Sequence, residues 1–229
     1  MNGRAKPGTA YVPTRVEQLA NMVTHGLWIP PSVLGIGWML YLASTPLQSL
    51  AALVYGLALI ALFSVSTIFH TISYSAKCST LKNFFHIGDR AIIYVFIAAS
   101  YTPWLALKNF DGWGTLTLWI VWIAAMLGIA YQYTFHEQFK WLETLLYVLI
   151  GVLPSVVIIC MEEPRAGLYE MAIGGAVYIS GVFFFKCDGV IPFAHAIWHC
   201  FVSIGACLHF IAVCVYLLGP HNEVVSAQI

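Results

Sequence analysis

The chain has 229 residues, 60% of them apolar and 9% charged, with no formal net charge. A soluble domain carries about 25% charged residues, so a mean hydropathy of +0.82 marks a chain solvated mostly by lipid. The balanced charge gives no footprint for nucleic acid or for a strongly anionic surface.

The first 17 residues are polar and carry no apolar h-region, so insertion is expected to rest on the first span. A spanning helix needs about 20 mainly apolar residues. Seven stretches meet that need: Leu19–Leu42, Gln48–Ser73, Ile87–Leu107, Thr115–Tyr133, Trp141–Met161, Leu168–Phe185 and Phe193–Leu218. Short polar breaks rich in Gly, Pro and charge separate them. The runs are apolar on both parities, which excludes the period-two alternation of a membrane barrel. The expectation is an all-α membrane protein: a short N-terminal segment to residue 18, a seven-helix domain over 19–218 and a tail over 219–229. Lys and Arg set its orientation. Arg4, Lys6, Arg15, Lys77, Lys82, Arg90, Lys140 and Lys186 fall on the N-terminal side, against Lys108 and Arg165 on the other. That asymmetry predicts a cytosolic N-terminus and an extracytosolic C-terminus.

The six cysteines have no zinc-ribbon or CxxC spacing. Cys200, Cys207 and Cys214 recur every seven residues and read as packing residues on one helix face. Cys78 and Cys187 sit at membrane boundaries, where acylation is the alternative to a plain thiol.

Ionisable groups inside a bilayer are costly and need a partner or a function. Ser66 and His70 share one face near the end of the second span, as do His195 and His199 at the start of the seventh. Asp89 opens the third span. The Lys and Arg topology brings all three places to the cytosolic end. Three neutral imidazoles suit zinc with one open position, where water is acidified. Asp89 could take a proton there and Ser66 could support an oxyanion. Plainer readings stand beside these. A lone membrane histidine is more often an interhelical hydrogen-bonder, and Asp89 could cap its helix or pair with Arg90. Glu17, Asn21 and His25 form a polar stripe, either a capping box on Thr14 with interhelical bonds or a shell around the metal. His209 lies too deep to share the ion and reads as packing. His86, His136 and His221 fall at loops or ends and carry no assignment.

Several segments carry a family resemblance: Glu17-x3-Asn21-x3-His25-Gly26, Ser66-x3-His70, His86-x2-Asp89, Ile97 to Pro103, and Pro192 to His199. In this order, over nearly the whole chain, they resemble the progestin and adipoQ receptor family, which includes the bacterial haemolysin III proteins and the adiponectin receptors. Phe183 to Gly189 looks most like the monocyte-to-macrophage differentiation factor branch. The resemblance implies seven helices with a cytosolic N-terminus and zinc held by His70, His195 and His199, with Ser66 and Asp89 beside it. It implies either a signalling scaffold or receptor in an internal membrane such as the Golgi, promoting Ras and ERK signalling through partners at the cytosolic face, or a zinc-dependent hydrolase of a lipid amide such as ceramide. A ligand-gated or membrane-perturbing protein ranks behind both. Membrane lipids, including a lipid held between helices, are the expected small partners.

Overall fold

In the computed structural model, the described residues are 1–6, 8–75, 79–108, 112–159 and 166–219. Lys77, Cys78, Arg165 and His221 lie outside them. The described residues form eight helices and no strand: α1 (Arg15–Gly26), α2 (Ile29–Leu42), α3 (Pro46–Ser75), α4 (Ser79–Leu107), α5 (Trp113–Phe135), α6 (Lys140–Ile159), α7 (Leu168–Phe185) and α8 (Ala194–Tyr216). Six of them, α3 to α8, are long and apolar enough to cross a bilayer, with mean hydropathy between 1.3 and 2.3 over their most apolar windows. The expected all-helical membrane fold therefore stands.

The first expected span differs from its prediction. Leu19–Leu42 is not one helix but the end of α1 and the whole of α2. Pro30 and Pro31 explain the break: proline cannot donate to the preceding turn, but it fits the first positions of a new helix. The helix that carries the third expected span begins at Ser79, ahead of the span's expected start at Ile87. Asp89 thus lies three turns inside α4, which removes the helix-cap explanation for it.

The burial pattern is that of a lipid-solvated molecule. In α1 the polar side chains Glu17, Gln18, Asn21 and His25 are buried, while Val16, Leu19 and Val23 are exposed. Trp119, Leu127 and Leu153 are likewise more than half exposed. In water such a surface would be an aggregation liability; in hydrocarbon it is the solvated face.

Two packing relations position the site. Helix α4 is central and touches α3, α5, α6 and α8. Helix α1 lies against both α3 and α8. The approach of α4 to α5 needs glycine, because a Cβ at Gly128 would stand 2.5 Å from the Tyr94 ring.

The start of α1 is fixed by a complete capping box. The Thr14 hydroxyl receives the Glu17 N–H, and Glu17 Oε2 accepts from the Thr14 N–H at 2.8 Å. Burial acts to raise the Glu17 carboxyl, but hydrogen bonds from Thr14 and Tyr11 outweigh it and hold it below the ordinary glutamate range. Its stabilising contribution is therefore complete above the ordinary glutamate range and is lost as pH falls below that range, through the carboxyl's depressed folded value. Thr14→Ala is expected to cost about 1 kcal/mol, read as a lower denaturation midpoint in detergent with metal content unchanged.

Candidate metal centre

His70 ends the inner face of α3, and His195 and His199 occupy the first two turns of α8. Phe193, at φ 58°, breaks the chain immediately before α8 and sets the entry angle that turns His195 inward. One nitrogen from each of the three imidazoles lies within 4.8 Å of the other two. Ring centroids are 5.3 Å apart for His70–His195 and His70–His199, and 4.7 Å for His195–His199. His70 and His199 are fully buried and His195 is partly buried.

The hydrogen bonding around these rings fits a metal. His70 Nδ1 lies 2.8 Å from Gln18 Oε1, and His199 Nδ1 lies 3.2 Å from the Asn21 carbonyl and 3.0 Å from Thr24 Oγ1. His195 Nδ1 faces Asp188 Oδ2 at 3.4 Å. Each Nδ1 thus has an oxygen to receive its proton, which leaves each Nε2 with a free lone pair. Ligand histidines almost always donate their other N–H in this way. His70 Nε2 is buried without a partner.

The remaining expected residues gather here. The Asp89 carboxylate is a near neighbour of Ser66 and His195. Ser66 Oγ is buried and makes no hydrogen bond of good geometry. The polar stripe of α1 divides between its two explanations. Glu17 belongs to the cap, whereas Asn21 serves His199 through its carbonyl, and His25 stacks on His199 at 3.5 Å with rings 13° from parallel. Arg90 does not pair with Asp89. It reaches Glu143 Oε1 at 2.8 Å and Glu137 Oε1 at 3.2 Å.

A cavity of about 370 Å³ runs from this centre between α4, α6, α7 and α8. Asp89, His195 and His199 line one part of it, Tyr178 and His209 another. Val152, Ile159 and Ile179 line it while remaining 42%, 54% and 46% exposed, so it opens sideways between α6 and α7.

Several contributors escaped the sequence reading. Gln18, Thr24 and Asp188 hold the imidazoles, and no local spacing marks them for that task. His86, His136 and Glu137 form a second group whose ligand-type atoms also lie within 4.8 Å of one another. There His136 Nε2 and His86 Nδ1 share a hydrogen bond at 3.0 Å. Arg90 and Lys140 both engage Glu137. Burial pushes His136 below the ordinary imidazole range against the pull of Glu137. Two cations already satisfy that carboxylate, so this group is a charge-balanced clamp rather than a metal centre.

An all-helical bundle with an inward-facing histidine trio and a lateral cavity defines a polytopic membrane protein built around a candidate metal centre. Residues 14–210 match the profile of the Haemolysin-III related family, and the chain belongs to that family. It is 41% identical over 218 residues to the human Monocyte to macrophage differentiation factor, covering 95% of this chain and 91% of that protein. It is 33% identical to Hemolysin-3 of Bacillus cereus over 207 residues (88% and 92%). Against the Bacillus subtilis Hemolysin-3 homolog it is 30% identical over 205 residues (87% and 94%).

Proposed function

We propose that this is a zinc-binding, multi-pass signalling protein of an internal membrane, with the Golgi as its compartment. In this reading α1 and α2 together complete a seventh span, and the N-terminus is cytosolic. The bundle acts as a scaffold or receptor that promotes Ras and ERK signalling through proteins at its cytosolic face. The carrying observation is the convergence of His70, His195 and His199 with every Nδ1 facing an oxygen. Likeness to a differentiation factor over nearly the whole chain supports the signalling part. The test of that part is ERK phosphorylation in cells expressing the chain at its membrane. A rise that His199→Ala abolishes supports it; no rise with the intact protein removes it.

The cavity favours a second reading, hydrolysis of a lipid amide such as ceramide. Zinc in the trio would supply Lewis acidity toward the amide carbonyl. In this reading Asp89 accepts a proton from the attacking water and returns it to the leaving amine as the C–N bond breaks. Ser66 Oγ, buried beside Asp89, could donate to the carbonyl oxygen as charge builds. The opening between α6 and α7 admits substrate from the bilayer. Asp89→Asn should retain zinc and lower fatty-acid release from ceramide by at least about 100-fold, the lower range for a general acid–base group. Purified protein that releases no fatty acid removes the enzymatic reading and leaves the scaffold.

A further inference from the structure

The far part of the cavity holds polar atoms that nothing described above uses. His209 is buried, and neither of its ring nitrogens has a hydrogen-bond partner among the described residues. The Tyr178 hydroxyl is also buried and unpartnered. The two rings are 5.5 Å apart, and both line the same cavity as His195 and His199. Gly174 lets His209 sit so deep: a Cβ there would stand 2.5 Å from its Cδ2 and 2.7 Å from its Nε2.

Unmade hydrogen bonds on buried groups are costly, and in hydrocarbon no bulk water can repair them. Their partner must come from whatever fills the cavity. We infer that His209 and Tyr178 form a distal subsite for a hydroxyl group carried part-way along the chain of a long-chain lipid whose polar head lies at the histidine trio. A hydroxyl fits better than a carbonyl. A neutral imidazole presents one donor and one acceptor, a phenol can do either, and a hydroxyl can both give and receive. His199 and His209 are ten residues apart on α8, which at 1.5 Å per residue puts the subsite about 15 Å from the centre. That span, and a volume of about 370 Å³ within the usual range for ligand pockets, suit a single extended chain. The subsite rests on the cavity being a lipid site, as in the second reading above, and not on the metal.

The test uses the full chain, purified in detergent, with parinaric acid as a fluorescent occupant. Stearic acid and a stearic acid hydroxylated at mid-chain compete for it. The hydroxy acid is expected to bind about tenfold more tightly, the scale of one satisfied buried hydrogen bond. His209→Leu should reduce the two affinities to near equality. Should that variant fail to fold, Tyr178→Phe keeps the ring, removes the hydroxyl and should shrink the preference by itself. Equal affinities in the unaltered protein, a preference unchanged in both variants, or no displacement by either acid would each overturn the subsite. Zinc is assayed on the same samples, and the preference should survive chelation. A protein that turns over no ceramide yet keeps the preference loses the hydrolase reading and retains the subsite.

Discussion

His199→Ala is expected to empty the metal centre and lower the melting temperature in one step. His199 is fully enclosed, and its Nδ1 is engaged by the Asn21 carbonyl and Thr24. Its Nε2 is therefore the atom offered to an ion. Loss of an outer partner of a metal ligand costs about 10–100-fold in affinity. Loss of the ligand itself should exceed that, so zinc retained through purification should fall from about one per chain to near zero. A site occupied at a thousand times its Kd contributes about 4 kcal/mol to the folded state. Metal analysis and a thermal melt read both effects. Packing loss alone, from the stack on His25, would also lower stability, so chelation separates the causes. A chelator should bring the unaltered protein close to the variant and leave the variant unmoved. Gln18→Leu, which removes the acceptor for His70 Nδ1, should weaken zinc binding by about 10–100-fold without emptying the site. Full zinc content in His199→Ala would end the metal assignment.

The parts of this centre that could be read from the sequence are those carried by local spacing. His195 and His199 are four apart in an apolar run, and Ser66 and His70 repeat the spacing at the matching end of another. Helical periodicity alone sets each pair on one helix face. The bounds of α7 coincide with expectation, because Gly167 and Lys186 end its apolar run abruptly. The start of α4 does not. Hydropathy locates the membrane-crossing part of a helix, and the same helix already runs through Ser79 to Phe85, where Ser79, Thr80, Lys82 and Asn83 dilute the apolar run. That extension carries His86 into ordered structure, where it meets His136, which the loop reading had set aside. Gln18, Thr24 and Asp188 were illegible for another reason. Their roles exist only because α1 wedges between α3 and α8, and because the turn before α8 folds back on His195. Such contacts are tertiary and leave no trace in spacing. The break at Leu27–Trp28 was signalled by Pro30-Pro31, but continuous hydropathy concealed it.

Arg90→Met is expected to destabilise the bundle by about 3–5 kcal/mol, the usual consequence of stranding a buried carboxylate. Arg90 projects from α4 into the space bounded by α5 and α6, where its two terminal nitrogens reach Glu143 at 2.8 Å and Glu137 at 3.2 Å. Its guanidinium lies 4.9 Å from the Phe185 ring centre, which adds a cation–π contact with α7. Glu137 holds its carboxylate inward from a left-handed backbone at φ 65°, and Lys140 meets the other oxygen at 2.5 Å. Tyr147 Oη lies 3.0 Å from Glu143 and 2.8 Å from the Arg90 carbonyl, closing the network onto α4. Removing the guanidinium leaves Glu143 enclosed with no cation, whereas Glu137 keeps Lys140. The double variant Arg90→Met with Glu143→Leu should therefore recover most of the lost stability, because an apolar pair of similar volume replaces ions that were costly to desolvate. Arg90→Lys should recover less, since one ammonium cannot fork to two carboxylates. Denaturant midpoints of the three variants decide the matter. If Arg90→Met matched the unaltered protein, the clamp would be ornamental. If the double variant fell further than the single one, helix packing rather than charge balance would be holding α4, α5 and α6 together beside the candidate metal centre.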